Sequence, residues 1–442
     1  MFEQFNLLNL TASTKQIVMK KMLLFALLFY QAANAQKTII YCGKLIDVKN
    51  LSVQQGMSVI IQSDTVADIQ KGYVAPASGD KVIDLKKYTV MPGLIDAHVH
   101  LESQTSPDAM LKRLTQNPAD IAFQAAVYAK TTLMAGFTTV RDVGGSGVNI
   151  SLRNAINKGE VIGPRIFTAG SIISTTGGHG DPTNGLREDL MMLPQLNENV
   201  VNGDDECRKA VRQHYKDGAD LIKITATGGV LSLEKDGAGA QFTEDEIKTI
   251  VETAKDYGMR VAAHAHGPEG MKRAVLAGVT SIEHGTYMTP EIMELMKERG
   301  TYLVPTIIAG KSVADSAAKM PGYFPPIIRA KALQIGSVIQ GTFAKAYKAG
   351  VKIAFGTDAG VYNHGKNWME FGYMHEAGMP VLECIKAATV NAADLIGDTK
   401  IGSLEKGKMA DVVAVDGDPV QDVKVMGKVV FVMKAGKVYK SE

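Results

Sequence analysis

The chain has 442 residues, of which 45% are hydrophobic, and its 48 basic and 46 acidic residues leave a formal net charge of +2. This length suffices for a large buried core, such as one barrel together with a smaller domain. Because the charge is nearly balanced and no block of like charges occurs, composition argues against recognition of nucleic acid or of an acidic membrane surface.

The N-terminal residues have the order of a secretory signal. Lys20 and Lys21 precede the short apolar stretch 22–30, and Ala33-Asn34-Ala35 then supplies the small-residue pattern of a cleavage site before Gln36. A membrane span would need about 20 apolar residues, so this stretch is too short to form one. We interpret residues 1–35 as a signal peptide, with Met19 as an alternative translation start, and expect an exported protein, periplasmic or secreted.

Both ends of the remaining chain are rich in β-forming residues. Residues 36–90 contain Lys37–Tyr41, Ser58–Gln62 and Lys81–Leu85, separated by turn-forming residues, and residues 400–442 contain Asp411–Val415 and Lys428–Met433. These patterns predict a composite β-sandwich built from both chain ends.

Between these ends, over residues 91–399, short apolar strands alternate with helical stretches. The predicted strands are Leu94–His100, Thr138–Asp142, Arg165–Ala169, Leu221–Thr225, Arg260–His264, Ser281–His284, Tyr302–Pro305 and Lys352–Thr357. A capping box, Thr243 with Glu246, marks the start of one helix. Eight β/α units in about 300 residues fit the α/β class with a closed (β/α)8 TIM barrel, and an open doubly wound sheet is the alternative.

Several predicted strands end in residues that can bind metal. His98 and His100 end the first strand and project from the same face. His264 and His284 end the fifth and sixth strands, and Asp358 follows the eighth. Taken singly, these are also compatible with hydrogen-bonded core histidines and a turn or cap aspartate. Because the carboxyl ends of barrel strands meet at one mouth, their convergence favours a metal site.

Lys223 lies within the fourth predicted strand, between Ile222 and Ile224. A lysine buried there would lose most of its hydration, and a desolvated amine gives up its proton readily. The neutral amine can add carbon dioxide to become a carbamate, an anionic ligand with two oxygens. The alternative is a lysine that reaches the strand end or pairs with a neighbouring charge.

Five segments together resemble the amidohydrolase superfamily. They are Gly93–His100, Lys223–Gly229, His264–Gly267, Ile282–Gly285 and Phe355–Gly360. The resemblance spans residues 37–440 and is strongest to the secreted Xaa-Pro dipeptidase (prolidase) and imidazolonepropionase-like group. Enzymes that hydrolyse ochratoxin are also similar. The resemblance implies a metal-bearing (β/α)8 barrel joined to a β-sandwich made from both termini.

Carried over residue by residue, the resemblance implies a two-metal centre. His98, His100 and Asp358 would hold one divalent cation, His264 and His284 the other, and carbamylated Lys223 would bridge them. Two Zn²⁺ ions are the expected pair, and Mn²⁺, Co²⁺ or Fe²⁺ are also compatible with these ligand types. The implied chemistry uses a metal-bridging hydroxide as nucleophile and Asp358 as acid and base.

Other polar residues near strand ends are candidates for substrate contacts. His266 shares a face with His264, but Gly267-Pro268 interrupts the strand, so we favour His264 as ligand and His266 for a substrate carboxylate. His179, in a glycine-rich loop, is a candidate hydrogen-bond donor to the scissile carbonyl, with an exposed loop histidine as the alternative. Three further candidates are Tyr287, His364 and Asn367. Arg141-Asp142 could instead form a buried ion pair.

The implied activity is hydrolysis of amide bonds in dipeptides or N-acyl amino acids, with Xaa-Pro dipeptides first. Three alternatives stay open: an ochratoxin-type N-acyl phenylalanine hydrolase, a cyclic amide hydrolase like imidazolonepropionase, and a non-catalytic export protein that binds metal or solute. Relatives that open cyclic amides usually use one metal and lack the bridging lysine, so Lys223 disfavours that alternative. The expected partner is a small-molecule substrate, with no nucleic acid and no stable membrane span; the oligomeric state stays open, a homo-oligomer included.

We expect the mature exported chain to begin at Gln36, because signal peptidases cleave after small-residue patterns such as Ala33–Ala35. Intact-mass measurement of protein recovered from the periplasm or the medium checks this prediction. A recovered mass that corresponds to a start at Met1 or Met19 would contradict it.

Overall fold

Strands and helices alternate through the middle of the chain. The computed structural model describes residue 16, residues 36–191 and residues 194–442. The strands are β1 (Lys37–Asp47), β2 (Ser52–Gln62), β3 (Thr65–Lys71), β4 (Lys81–Pro92), β5 (Leu94–Val99), β6 (Phe137–Asp142), β7 (Arg165–Thr168), β8 (Leu221–Thr225), β9 (Arg260–Ala265), β10 (Ser281–His284), β11 (Tyr302–Val304), β12 (Lys352–Ile353), β13 (Val412–Val415), β14 (Val429–Lys434) and β15 (Lys437–Ser441). The α-helices are α1 (Ala109–Thr115), α2 (Pro118–Met134), α3 (Val148–Lys158), α4 (Glu188–Met191), α5 (Pro194–Asn197), α6 (Gly203–Asp217), α7 (Glu244–Asp256), α8 (Pro268–Ala277), α9 (Pro290–Arg299), α10 (Ile307–Lys319), α11 (Pro326–Ala349), α12 (Met369–Glu376), α13 (Val381–Lys386) and α14 (Ala392–Ile396).

The parallel strands β5 to β12 form a closed barrel. They pair in the orders β5-β6-β7 and β12-β11-β10-β9-β8. A parallel bridge between Ile173 and Ile224 joins the two arcs beside β8, and a second bridge between Val99 and Ala359 joins them beside β5. The predicted (β/α)8 barrel is therefore confirmed, and the open doubly wound sheet is excluded.

The last barrel strand is shorter than the predicted Lys352–Thr357. After β12 the chain still runs beside β5, because the Ala97 amide donates to the Phe355 carbonyl at 2.9 Å and the Asp358 amide donates to the His98 carbonyl at 2.7 Å. The Thr357 amide, however, donates at 3.1 Å to the carboxylate of Asp96. The same amide also donates to the His98 carbonyl at 3.4 Å, so a polar side chain shares the backbone bond just before Asp358.

The β-sandwich-like domain predicted from both chain ends is built on one seven-stranded sheet, in the order β15-β14-β13-β4-β1-β2-β3. β4 pairs with β1 in parallel and with β13 in antiparallel fashion, and it leads through Gly93 into β5 of the barrel. β3 and β15 were not predicted, because their residues, apart from the buried Val66, are exposed or only partly buried. The sheet is therefore continuous with the first barrel strand.

No helix among the described residues is long and apolar enough to cross a membrane. The predicted signal peptide, residues 1–35, lies outside the described residues except for residue 16. Its cleavage therefore stays a prediction.

We predict that Gly43→Ala destabilises the β domain. The register between β1 and β4 shifts between Cys42 and Lys44, and a Cβ on Gly43 would lie 2.0 Å from the Lys86 carbonyl oxygen. Since two backbones would have to move apart, the free energy of unfolding should fall by about 1–3 kcal/mol. Thermal and denaturant unfolding of the purified protein measure the change.

Gly341→Ala is the matched control. Gly341 lies inside α11, and a Cβ there would meet nothing within 4 Å. Alanine favours the helix by about 0.5–1 kcal/mol, so this variant should be equally or more stable. Equal stability of the Gly43→Ala variant and the native protein would contradict the close approach of β1 and β4.

Candidate metal centre and active site

The carboxyl end of the barrel brings together His98 on β5, His100 directly after that strand and Asp358 after β12. Because β5 and β12 are neighbours, the Nε2 atoms of His98 and His100 lie 3.5 and 3.3 Å from Asp358 Oδ1. His98 and Asp358 are only 1% and 8% exposed. Three groups that can bind a cation therefore converge on one small buried space.

Two groups of potential ligand atoms adjoin each other. His98, His284 and Asp358 each place one such atom within 4.8 Å of the others, and so do His264, His266 and His284. His284 belongs to both groups. Each group could hold a metal ion. His266, which we predicted as a substrate contact, lies in the second group together with the predicted ligand His264.

Lys223 is buried at this mouth, with 2% exposure. Burial lowers the pKa of its ammonium group to about 8, although the negative charges of Glu283 and Asp358 oppose the shift. Among the described residues, no hydrogen-bond or ion-pair partner lies within reach of its Nζ atom. The structure therefore does not show the ion-paired lysine that the sequence left as an alternative.

Each histidine in the cluster has one ring nitrogen held by an oxygen atom. The pairs are His98 Nδ1 with Glu283 Oε2 at 2.7 Å, His100 Nδ1 with the Gly144 carbonyl at 2.6 Å, His284 Nδ1 with Thr306 Oγ1 at 2.6 Å, His266 Nδ1 with Thr286 Oγ1 at 2.8 Å, and His264 Nε2 with the Gly228 carbonyl at 3.1 Å. The opposite nitrogen of each ring is left for a metal, as in metal sites whose outer partners orient the ligands.

Burial favours the neutral form that a cation requires in His98, His264, His266 and His284. It lowers the pKa of His98 to about 4, with the nearby charge of Lys223 acting in the same direction. It lowers the pKa of His266 to about 3. Burial also acts to lower the pKa of His100, but its hydrogen bond to Asp358 and the charge of that carboxylate raise it above the ordinary value. The buried donor set, nitrogen and carboxylate oxygen with oriented rings, fits divalent cations.

A buried ion pair supports His98 from behind. Arg141 Nη2 lies 2.7 Å from Glu283 Oε1, and Arg141 also donates to the Ala97 carbonyl at 2.6 Å and to Ser281 Oγ at 3.0 Å. Burial opposes ionisation of Glu283, but Arg141 and the hydrogen bond from His98 outweigh it and hold the carboxyl pKa far below its ordinary value. Arg141 therefore forms the ion pair that the sequence left as an alternative, and its partner is Glu283.

Glu283 was not predicted from the sequence, although it stands directly before His284 in a fully buried strand. A carboxylate in such a strand needs a cationic or hydrogen-bonding partner, and that need was the available signal. Asp96 was missed in the same way. It accepts hydrogen bonds from Thr357 Oγ1 at 2.6 Å and from Asn367 Nδ2 at 2.7 Å. Asn367, a predicted substrate contact, thus binds Asp96 of β5 with its side-chain amide.

The backbone is left-handed where three successive strands end. His284, Thr306 and Asp358 have φ values of 72°, 50° and 59°. Non-glycine residues in this region cost about 1–3 kcal/mol each, and they persist only where neighbouring interactions hold them. The bond between Thr306 and His284 and the contacts of Asp358 with His98 and His100 supply that restraint.

The predicted loop residues differ in how closely they approach the cluster. The ring of His179 stacks on His264 with centroids 4.3 Å apart. Tyr287 is half-buried at the rim, where its amide donates to the His266 carbonyl at 2.9 Å. His364 stacks instead on Tyr128, with centroids 4.5 Å apart, and lies outside both ligand groups.

We predict that Glu283→Gln weakens binding of divalent cations by about 10-fold to 100-fold. The amide cannot restore the charge that Arg141 pairs with, and His98 loses its carboxylate partner. Metal retained after dialysis against a graded series of chelator concentrations measures the affinity. Circular dichroism separates metal loss from unfolding.

Glu298→Gln serves as the control, because Glu298 is an exposed glutamate of α9 outside both ligand groups. It should bind metal like the native chain. If the folded Glu283→Gln protein retains metal as tightly as this control, the assigned role of Glu283 is wrong.

Comparison with known proteins shows similarity to proteins described as amidohydrolases, dipeptidases and prolidases. Residues 89–439 match the family described as the amidohydrolase family. One similar solved structure is the crystal structure of a Xaa-Pro dipeptidase with bound methionine in the active site. It has a TM-score of 0.89 and 52% sequence identity, and the match covers 92% of this chain and 100% of the dipeptidase chain. A prolidase complexed with N-methylphosphonate-L-proline has a TM-score of 0.84 and 31% identity, covering 92% and 100%.

The ochratoxinase of Aspergillus niger is 32% identical over 440 residues, which cover 92% of this chain and 87% of that protein. The family match extends over the barrel and the C-terminal strands, and it includes every residue of the two ligand groups. On these grounds the chain belongs to the amidohydrolase family of hydrolytic enzymes.

Proposed function

We propose that this protein is a binuclear metal-dependent hydrolase that cleaves the amide bond of dipeptides or N-acyl amino acids, with Xaa-Pro dipeptides first. One observation carries the proposal: two adjoining groups of buried ligand atoms share His284. Lys223, buried and without a partner among the described residues, lies within the electrostatic reach of Asp358.

The two cations would share the modified Lys223 and otherwise take separate ligands. His98, His100 and Asp358 would hold one cation, and His264 and His284 the other. The lysine amine would add carbon dioxide, forming an N–C bond and releasing one proton, and the resulting carbamate oxygens would reach both cations. Zn²⁺ suits nitrogen and carboxylate-type ligands, and buried neutral imidazoles favour it over Mg²⁺ or Ca²⁺.

When bound, such cations polarise a carbonyl group and lower the pKa of a water molecule. Asp358 would accept the proton of the attacking water and pass it to the leaving amine. Its position supports this role, since the carboxylate faces the mouth between His98 and His100 while its backbone is held by the His98 carbonyl.

Support for the substrate class comes from the neighbours and the rim. One similar structure is described as a Xaa-Pro dipeptidase with bound methionine, and another as a prolidase complexed with N-methylphosphonate-L-proline. For this chain we therefore propose an amino acid leaving group. Its carboxylate would lie near Tyr287 and His266, whose backbones are joined at the rim.

A second candidate substrate is an N-acyl phenylalanine of the ochratoxin type. The similarity to Aspergillus niger ochratoxinase over 92% of this chain supports it. That substrate shares the amide and the terminal carboxylate with dipeptides but lacks their free ammonium group. The two classes therefore differ at the acyl side of the bond.

We expect the zinc-loaded protein, supplied with bicarbonate, to hydrolyse members of a library of Xaa-Pro, Xaa-Arg, Xaa-Phe and N-acyl amino acids. Asp358→Asn should lower kcat by about 10²-fold to 10⁴-fold, because the amide cannot carry the proton. Release of free amino acids measures turnover, and the circular dichroism spectrum should stay native.

Omission of bicarbonate during metal loading should reduce both metal content and turnover, since the carbamate needs dissolved carbon dioxide. Near-native activity of metal-loaded Asp358→Asn would refute the role of that residue. Inactivity of the native, zinc-loaded enzyme on the whole library would refute the proposed function.

A further inference from the structure

The loop between β8 and α7 packs directly against His179. A Cβ atom on Gly229 would lie 2.2 Å from His179 Cε1 and 2.3 Å from Nδ1. Only glycine allows the loop backbone to approach the ring so closely. The position of the ring is fixed by a second contact as well, because His179 stacks on His264. The ring therefore lies between this loop and the candidate metal centre.

A chain of hydrogen bonds leads from the loop to the ring. Ser232 Oγ lies 2.5 Å from Glu234 Oε1, which also accepts from the Gly229 amide at 2.8 Å. Ser232 Oγ is in turn hydrogen-bonded to His179 Nδ1. An ionised carboxylate can only accept, so the serine hydroxyl donates to Glu234 and must accept from the Nδ1–H group of His179.

Lys331 fixes the loop independently of the ring. From α11, its Nζ atom donates to the Ser232 carbonyl at 2.8 Å and to the Glu234 carbonyl at 2.9 Å. The lysine is 9% exposed. Lys331 therefore holds the loop backbone, and its Nζ atom also lies 3.7 Å from Glu234 Oε1, the carboxylate oxygen that accepts from Ser232.

We propose that Glu234 and Ser232 are positioning residues that fix the orientation of His179 and keep its proton on Nδ1. Nε2 is then the ring atom that faces a substrate bound above His264. This inference rests on the proposed function and deepens it. It also revises the expected role of His179: with the proton on Nδ1, held by Ser232 and 3.6 Å from Glu234 Oε1, the neutral ring presents an unprotonated Nε2, which accepts a hydrogen bond from the substrate and does not donate one to the scissile carbonyl.

A double-mutant cycle tests the coupling on whichever amide the native enzyme hydrolyses. Glu234→Ala should lower kcat about 10-fold or more with little change in KM, because ring orientation matters in the transition state. In a His179→Ala background the same substitution should change kcat less than about twofold. Additive losses in kcat would overturn the inference. Lys235→Ala, an exposed neighbour in the same loop, should leave kcat and KM unchanged.

Crystal structures of the zinc-loaded native and Ser232→Ala proteins give a readout that does not need turnover. We expect the His179 ring to leave its stacked position on His264 in the variant. A ring that keeps the native position and orientation would overturn the inference. If the native enzyme cleaves none of the amides, the proposed function fails, and the crystal structures still decide whether Ser232 positions His179.

Discussion

The buried ion pair between Arg141 and Glu283 is the interaction on which the barrel mouth depends. Arg141 belongs to β6, Glu283 to β10, and their contacts extend to the Ala97 carbonyl and to His98 on β5. Loss of one partner from such a pair typically costs about 3–5 kcal/mol, because the other charge is left buried. Strand order and ligand orientation therefore rest on the same two side chains.

Around this pair, hydrogen bonds from neighbouring side chains hold the ligand residues in position. The hydroxyl of Thr306 binds His284, and the carboxylate of Asp96 binds Thr357 beside Asp358. Burial raises the pKa of Asp96 to about 7, and its hydrogen-bond donors act against that rise. The residues with left-handed backbones therefore lie where side chains such as those of Thr306 and Asp96 can hold them. These contacts form the site before a cation or substrate binds.

Much of the fold and part of the site could be predicted from sequence because their signals are local. The capping box is one example, since Thr243 Oγ1 accepts from the Glu246 amide at 3.2 Å in the structure. Strand-end histidines were likewise visible in their apolar runs. The roles of Glu283 and Asn367 were not, because each depends on a partner more than a hundred residues away. Such pairings follow from barrel closure and leave no local pattern.

The seven-stranded sheet has a consequence for biosynthesis. Thr89 on β4 donates to the Gly417 carbonyl, 328 residues later, and β4 pairs along its outer edge with β13. Until β13 has left the ribosome, that edge of β4 offers unpaired amides and carbonyls to any other strand. Such long-range pairing also folds slowly. The nascent chain therefore carries this unpaired edge from the synthesis of β4 until that of β13, near the C-terminus.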